Sequence, residues 1–212
     1  GLGGEEHYLY VMCAHTRMSF VSCHAQRSEA PQAIVNALRP ITTLIRRLGL
    51  SPEACWLKHD AATEFNSKEF AVACEGLGIT YNINGAPRHR NSVHLLDNHM
   101  RTLQNMASAA ISQGKAPLNE WPSAIVCANW TKVRMPISGG PCAMVRAFGV
   151  AYTPRLSSFR IFYAPVFKVD QMKPRSQKFS SRVQLGYYLG HHRDQVGMMI
   201  RIPGNARPVV RH

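Results

Sequence analysis

Strand-like apolar segments and segments with apolar residues at helical spacing follow one another along the chain. Their order constrains the fold more than any other feature. Segments 8–14 and 18–25 are predicted strands, and they predict a β-hairpin because only His15, Thr16 and Arg17 separate them. From there to about residue 133, helical apolar spacing alternates with short strand-like segments. Strands mixed with helices in this order predict an α/β fold, a mixed sheet flanked by helices.

Capping residues support the helices of this first region. Ser28 is the predicted N-cap of a helix whose apolar residues recur at helical spacing to residue 48. Asn66 is the predicted N-cap of the next helix, with Phe65 and Phe70 placed to form a hydrophobic staple. Two further helices are predicted after these, at residues 92–113 and 117–133.

The composition changes after residue 135, which predicts a second structural unit. Residues 1–135 form the predicted α/β core, residues 136–155 a linker that contains Gly139 and Gly140, and residues 156–212 a small β-rich module. Turn-forming residues separate the short extended segments of that module, as in a small barrel. These segments are residues 159–162, 166–169, 183–188 and 198–202.

Positive charge is concentrated in the last third of the chain. The formal net charge is +13, and residues 143–212 contain 12 Lys or Arg against Asp170 and Asp194. Lys and Arg contacts to phosphate dominate the affinity of proteins for nucleic acids, so this imbalance favours DNA, or RNA, as a partner. A generic basic surface that maintains solubility is the alternative.

Cysteine usage and hydropathy bear on the compartment. The six cysteines include no CxxC pair and no zinc-finger spacing, and most lie in apolar segments. No signal peptide and no apolar run long enough to cross a bilayer is visible. We therefore expect a protein of the nucleus or another intracellular compartment, not secreted and without a membrane partner.

Two acidic residues are candidates for the chemistry, and the first of them, Asp60, stands where open α/β sheets place ligands. Asp60 follows a short predicted strand, and Asp97 lies on the polar side of the long predicted helix at 92–113. A turn or helix-cap role is the alternative for Asp60, and a solvated helix position is the alternative for Asp97. Arg101 is placed either to contact a DNA phosphate or to pair with Asp97 one helical turn away.

In order and spacing, the motifs around these acids resemble the integrase region of copia-type retrotransposon polyproteins. That family shows Ser/Thr-Asp-x-Gly-x-Glu-Phe, then Ala-Pro, then a helix with Glu-Arg-x-x-Arg-Thr-Leu. The matching residues here are Asp60, Thr63, Glu64, Phe65, Ala86, Pro87, Arg101, Thr102 and Leu103, with Ala62, Asp97 and Asn98 replacing the family's Gly, Glu and Arg. Later matches are Leu156, Ser157, Arg160, Phe162 and the Leu185-Gly186-Tyr187 segment.

The resemblance implies a fold, a chemistry and partners. It implies an RNase H-like core followed by an SH3-like module, and metal-dependent DNA integration, in which three carboxylates hold two Mg²⁺ or Mn²⁺ ions. Asp60 and Asp97 would be the catalytic, metal-binding carboxylates. A homo-oligomer is implied in the same way.

The resemblance places the first carboxylate at Cys13, four residues before Arg17. A thiol is mostly neutral at pH 7 and prefers zinc or copper to magnesium, so the carboxylate set is predicted to be incomplete. We therefore expect strand transfer to be absent or very weak. The alternative to an active integrase is a catalytically dead module that binds DNA or RNA or serves as a scaffold. A small residue facing the core is the alternative for Cys13.

Basic residues are the candidates for nucleic-acid contact. The histidines at 191 and 192 are predicted to lie in a cationic loop rather than in a metal site, because neighbours on a strand face opposite ways. The predicted phosphate-binding residues are Arg101, Arg155, Arg160, Lys168, Lys173, Arg175, Lys178 and Arg182.

Overall fold

A computed structural model describes most of the chain, and the account below concerns those residues. They are residues 4–47, 49, 56–57, 65, 67–81, 94–169, 183–191, 197–205 and 208–211. Within them the fold is a mixed α/β structure, as the apolar periods predict.

The predicted hairpin is confirmed. Strands β1 (His7–Met12) and β2 (Ser19–His24) pair antiparallel in unbroken register. The loop is closed by the backbone N–H of Cys13, which donates to the carbonyl of Met18 at 2.8 Å. Thr16 is buried in this loop, and its hydroxyl accepts a hydrogen bond from the backbone of Met18.

Helix α1 (Ala30–Arg47) packs an apolar face against the hairpin and continues through Pro40. The predicted N-cap, Ser28, is wrong. A 3₁₀ turn at Arg27–Glu29 precedes the helix, and the Ser28 hydroxyl hydrogen-bonds Gln26 instead. Such tighter turns are common at helix starts. The buried residues of the helix are Ala30, Ile34, Val35, Ala37, Leu38, Ile41, Thr42, Leu44 and Ile45.

Helix α2 (Lys68–Gly76) begins one residue later than the sequence predicts. Its N-cap is Ser67, whose hydroxyl accepts from the backbone N–H of Phe70 at 3.1 Å, so the prediction of Asn66 as N-cap is wrong. Ser67 is itself a favoured capping residue, and either neighbour could have filled the position. The predicted contact of Phe65 with Phe70 is confirmed, with ring centroids 5.6 Å apart.

Two short strands, one before and one after α2, form a parallel pair. Strands β3 (Trp56–Leu57) and β4 (Thr80–Tyr81) pair with each other, on either side of α2 in sequence. Leu57 and Val11 of the hairpin both belong to the apolar cluster around α1. Among the described strands, however, the hairpin and this pair form two separate sheets rather than the single mixed sheet that we predicted.

Two helices form the second layer. Helices α3 (His94–Gly114) and α4 (Trp121–Lys132) pack against each other, and α4 also packs against β2. Leu103 and Ala107 of α3 are buried, as the predicted apolar side requires. The buried apolar residues of α4 are Ala124, Ile125, Cys127 and Ala128.

The segment predicted as a linker contains a packed helix. Helix α5 (Ala143–Phe148) lies within residues 136–155. Its buried Ala143 and Ala147 share an apolar cluster with Leu44 of α1. The glycine-rich turn that suggested a linker therefore leads into a helix that adds to the core.

The C-terminal part is a four-stranded antiparallel sheet in the order β5-β6-β7-β8. The strands are β5 (Pro165–Val169), β6 (Val183–His191), β7 (Met198–Arg201) and β8 (Val209–Arg211). Three correspond to predicted segments, and β8 was not predicted. The segment 159–162 is not a strand, which corrects a fourth prediction. Buried Phe162 enters the core, and Tyr163 has a φ of +61°, a left-handed conformation that interrupts any strand there.

The C-terminal sheet docks on α4. Tyr188 and Leu189 of β6 are buried in the cluster that contains α3 and α4 residues. His191 stacks on Trp130 of α4 with centroids 4.2 Å apart, and the Arg134 guanidinium lies 4.0 Å from the centroid of the same indole. His191 was predicted to lie in a cationic loop, and this is wrong. It ends β6, and its apolar ring face is used in packing.

A buried ion pair joins the same two parts of the chain. Arg201 on β7 donates from Nε to Glu120 Oε1 at 2.6 Å and from Nη2 to Oε2 at 3.3 Å. Glu120 is 1% exposed and Arg201 is 8% exposed. Ser123 adds a hydrogen bond to Glu120 Oε2. Since a buried carboxylate without its cation is costly, this pair fixes the sheet against the start of α4.

The described helices were compared with the length and hydropathy of membrane-spanning helices. None of them combines the length and the apolar character that a bilayer crossing requires.

Removing one member of the buried ion pair should cost more than removing both. We expect Glu120→Gln to lower the free energy of unfolding by about 3–5 kcal/mol, because the Arg201 guanidinium is left buried without its carboxylate. The double variant Glu120→Met with Arg201→Met should lose much less. Urea denaturation measures both. A Glu120→Gln loss below about 1 kcal/mol would show that water reaches Arg201.

Two helix-ending glycines provide a matched pair of substitutions. An added Cβ at Gly114 would lie 2.3 Å from the carbonyl oxygen of Phe162, whereas one at Gly76 would meet nothing within 4 Å. We expect Gly114→Ala to destabilise the protein by about 1–3 kcal/mol, because α3 must move away from the turn at Phe162. Gly76→Ala should be neutral or stabilising by about 0.5 kcal/mol. Thermal unfolding distinguishes the two, and equal effects would contradict the close approach.

Candidate nucleic-acid interface

Several predicted site residues lie outside the described residues, and their roles stay predictions. They are Asp60, Lys173, Arg175, Lys178 and Arg182, together with the motif residues Ala62, Thr63, Glu64, Ala86 and Pro87.

Asp97 is exposed in the first turn of α3. A carboxylate there is favoured by the partial positive charge of the helix N-terminus. Arg101, one turn later, donates from Nη2 to the Asn98 side chain at 2.9 Å. In the described contacts Arg101 therefore pairs with Asn98, and no ion pair joins it to Asp97. The Asp97 carboxylate is open to solvent and to a ligand.

Cys13 directly follows β1 and lies at the hairpin loop. It is half-buried, and its carbonyl accepts from the backbone N–H of Arg17 at 2.9 Å. The backbone of Cys13 thus closes the loop at both of its polar groups. Its thiol has no partner among the described contacts.

The described residues do not fit a magnesium site. No group of three His, Cys, Asp or Glu side chains that could hold a metal ion occurs in the described ranges. Of the predicted set, only Asp97 offers described carboxylate oxygens, which Mg²⁺ prefers, and Cys13 offers a soft thiol.

Three of the predicted C-terminal phosphate-binding residues can be placed. Arg155 is exposed just before the short 3₁₀ turn at Leu156–Ser158. Arg160 is exposed, and its Nη1 donates to the carbonyls of Ser157 and Phe159, so part of its donor set is used locally. Lys168 is half-buried on β5. Arg155 is the most open of these three to an anion.

The structure also brings together residues that the sequence analysis did not select. Lys132, the last residue of α4, donates from Nζ to the hydroxyl of Tyr10 on β1 at 3.0 Å. It also contacts Nδ1 of His99 on α3. Arg17, in the hairpin loop, lies close enough to affect the ionisation of Tyr10, His99 and Lys132. We call Tyr10, Arg17, His99 and Lys132 the hairpin cation cluster.

Ionisation in the hairpin cation cluster reflects crowding of positive charge. Burial and the Arg17 guanidinium lower the pKa of Lys132 to about 8. Burial, and then the charges of Lys132 and Arg17, lower the pKa of His99 to about 4. His99 is therefore neutral at pH 7. Its Nδ1 accepts from Lys132, which assigns the ring proton to Nε2.

Sequence alone gives little signal for this cluster. Its members come from a strand, a loop and two helices, and more than 110 residues separate Arg17 from Lys132. In the sequence, Arg17 is marked only by its position four residues after Cys13. Nothing in the local pattern marks Arg17 or Lys132 as a partly buried cation.

Comparison with known proteins gives information on fold and not on sequence family. Neither a protein-family model nor a curated protein matches the chain. Similar solved structures are retroviral. A chain of the simian T-cell lymphotropic virus intasome, solved in complex with PP2A regulatory subunit B56 gamma, has a TM-score of 0.50 and 15% identity, over 96% of this chain and 69% of that chain.

Two structures of the HTLV-2 integrase catalytic core domain in complex with magnesium are also similar. The dimeric form has a TM-score of 0.44 and 18% identity, over 63% of this chain and 78% of that chain. The trimeric form has a TM-score of 0.47 and 17% identity, over 65% and 82%. At these identities the likeness concerns the fold alone. Both core-domain TM-scores lie below 0.5, so the intasome match alone carries the likeness: the mixed α/β fold of this chain is similar to the fold of that intasome chain.

Proposed function

We propose that this chain is a nucleic-acid-binding protein with an integrase-type, RNase H-like core, derived from a copia-type retrotransposon polyprotein, in which DNA integration chemistry is absent or very weak. The observation that carries the proposal is charge. The chain has 25 Lys and Arg residues and 12 Asp and Glu residues, and the excess of positive charge lies mainly in the last 70 residues. An integrase-like fold with this excess suits a polyanionic partner.

Exposed basic side chains among the described residues support nucleic-acid binding. Arg155 is exposed, and so are Arg46 and Arg47 in the last turn of α1. The ion pair of Glu120 with Arg201 is buried and contributes nothing to the outer surface. Exposed basic groups that are not neutralised internally can release counterions from a nucleic-acid backbone. We propose DNA as the first partner, with RNA as the alternative.

Support for weak chemistry comes from the donor set. The family's reaction needs three carboxylates around two divalent ions, and the first predicted position is Cys13. Asp97, in the third position, is one methylene shorter than the family's Glu. A soft, mostly neutral thiol cannot replace a carboxylate toward Mg²⁺ or Mn²⁺. An active integrase that uses Asp60 and Asp97 is the competing proposal, and a homo-oligomer follows from the resemblance in either case.

Binding should be tight at low salt and should weaken steeply as salt is added. We expect the logarithm of the affinity for a short DNA duplex to fall linearly with the logarithm of salt concentration, with a slope of about −0.9 for each phosphate contacted. Fluorescence anisotropy with labelled duplex, single-stranded DNA and RNA measures this slope. Affinity that is undetectable at 50 mM salt, or independent of salt, would contradict the proposal.

Catalysis should appear only when the acids are restored. With Mg²⁺ or Mn²⁺ we expect the natural protein to neither nick nor join a short duplex. Cys13→Asp combined with Asp97→Glu should gain metal-dependent joining, because hard oxygen ligands return to both positions. The same double variant carrying Asp60→Asn is the control and should lose that gain. Joining by the natural protein that Asp60→Asn abolishes would establish the active-integrase alternative.

A further inference from the structure

The outer face of helix α1 carries a continuous row of exposed polar side chains. They recur three or four residues apart, which places them on one side of the helix over about 22 Å of its length. We call this row the α1 stripe. Its members are Gln32, Asn36, Arg39, Thr43, Arg46 and, beside it, Arg47.

The positive charge of the α1 stripe is not neutralised by contacts within the described structure. Helix α1 has three arginines and no acidic residue among its 18 positions. None of the three guanidinium groups has a hydrogen bond or an ion pair among the described contacts. The acid that precedes them most closely in sequence is Glu29, about 15 Å from Arg39 along the helix axis. Three positive charges therefore face solvent on one side of one helix.

The helix dipole accounts for only part of this pattern. The partial negative charge at a helix C-terminus stabilises cations, which is sufficient to explain Arg46 and Arg47 in the last turn. That effect fades within one turn, and Arg39 lies about two turns earlier. Helix stability therefore gives no reason for Arg39, whereas an anionic partner that lies along the helix gives a reason for all three arginines.

The uncharged members of the α1 stripe add hydrogen-bonding groups. Gln32 Nε2 donates to Asn36 Oδ1 at 3.1 Å, which leaves the NH₂ group of Asn36 available to an outside acceptor. The hydroxyl of Thr43 donates to the carbonyl of Arg39 at 3.0 Å. Phosphate oxygens of nucleic acids accept hydrogen bonds from amide side chains as well as from arginine. The stripe therefore offers the donors that a phosphate backbone uses.

The α1 stripe and the predicted carboxylate Asp97 lie on different sides of the hairpin. Side chains of β1 alternate between two clusters: Val11 is buried with residues of α1, and Tyr10 is buried with residues of α3 and α4. The apolar face of α1 packs on the hairpin, so the stripe points outward from that side. Asp97 belongs to α3, in the helix layer across the hairpin.

We propose that the α1 stripe is a nucleic-acid-binding surface, separate from the predicted catalytic region, on which α1 lies along the phosphate backbone of a DNA duplex. The inference rests on the proposed function for nucleic acid as the partner. Contacts to phosphate carry no base information, so binding here is independent of DNA sequence. A second copy of this chain fits the stripe less well, because pairing two stripes would oppose like charges with no acid in either helix.

The test removes the three charges and keeps the helix. Glutamine has a helix propensity close to that of arginine, so the substituted protein should fold, and thermal unfolding checks this. The test variant is Arg39→Gln with Arg46→Gln and Arg47→Gln. The matched control removes three exposed charges from other parts of the chain, by Lys68→Gln, Lys115→Gln and Arg146→Gln. A rescue variant keeps the charge, by Arg39→Lys, Arg46→Lys and Arg47→Lys.

Duplex binding over a range of salt concentrations gives the first readout. In fluorescence anisotropy, the salt slope of the test variant should shrink by about 1.8–2.7, which corresponds to two or three phosphates at about 0.9 each. Its affinity at 0.15 M salt should fall at least about tenfold. The control should lose less than half as much in slope, and the rescue variant should keep the slope of the natural protein.

Crosslinking gives a second readout that reports direct contact. A photoreactive p-benzoylphenylalanine at position 43, in the middle of the α1 stripe, should crosslink to the bound duplex. The same substitution in the background of the test variant should give little crosslinking at equal occupancy of the duplex. No crosslink from position 43 in the otherwise natural protein would overturn the inference.

The inference and the proposed function fail in different ways. If the test and control variants lose slope and affinity equally, the effect is general electrostatics, and the inference is wrong while the proposed function stands. If the test variant binds duplex as the natural protein does, the α1 stripe faces another partner, such as an acidic protein surface, and the inference is again wrong. If the natural protein binds no nucleic acid at all, the proposed function fails and the inference fails with it.

Discussion

Helix α4 is the element on which the rest of the structure depends. It is buried on more than one side, because it contacts α3, the hairpin and the C-terminal sheet at once. Glu120, just before its start, anchors β7, and Lys132, its last residue, reaches the hairpin. A helix in this position must be apolar nearly all round, and the few polar groups on it need specific partners.

That arrangement explains why a positively charged chain can still be compact. The buried Glu120 pairs with Arg201, and most other basic side chains among the described residues are exposed or belong to the hairpin cation cluster. Folding therefore leaves the electrostatic excess available rather than neutralising it. A protein built in this way is less stable than one with balanced charges, and an anionic partner that binds the native state would raise its stability.

Sequence patterns predicted the helices and strands well where the apolar residues of a segment follow one clear pattern. The hairpin, the apolar face of α1 and the buried positions Leu103 and Ala107 follow from periodicity, which depends only on local geometry. Predictions failed where neighbours could exchange roles, as with Ser67 and Asn66 at the start of α2. They also failed where tertiary contacts decide, as at Phe162, which lies in a predicted strand but is buried in the core outside any strand.

The candidate site was less predictable than the fold. The motif around Asp97 is a linear pattern in which a resemblance can be seen, whereas Lys132 and Tyr10 meet only through the packing of α4 on the hairpin. No local pattern encodes a contact between residues so far apart. The charge count favours a polyanionic partner as an expectation, but it gives no position for one.

One contact of α4 has a consequence for association between chains. The Asn129 side chain donates to the backbone carbonyl of Ser19 at 3.0 Å and accepts from the Ser19 hydroxyl at 2.6 Å. Ser19 begins β2, and an open strand edge is a template on which another molecule can add a strand. With its carbonyl already occupied by an amide from the same chain, the start of β2 offers no such template, so α4 protects the hairpin against aggregation while holding it in the fold.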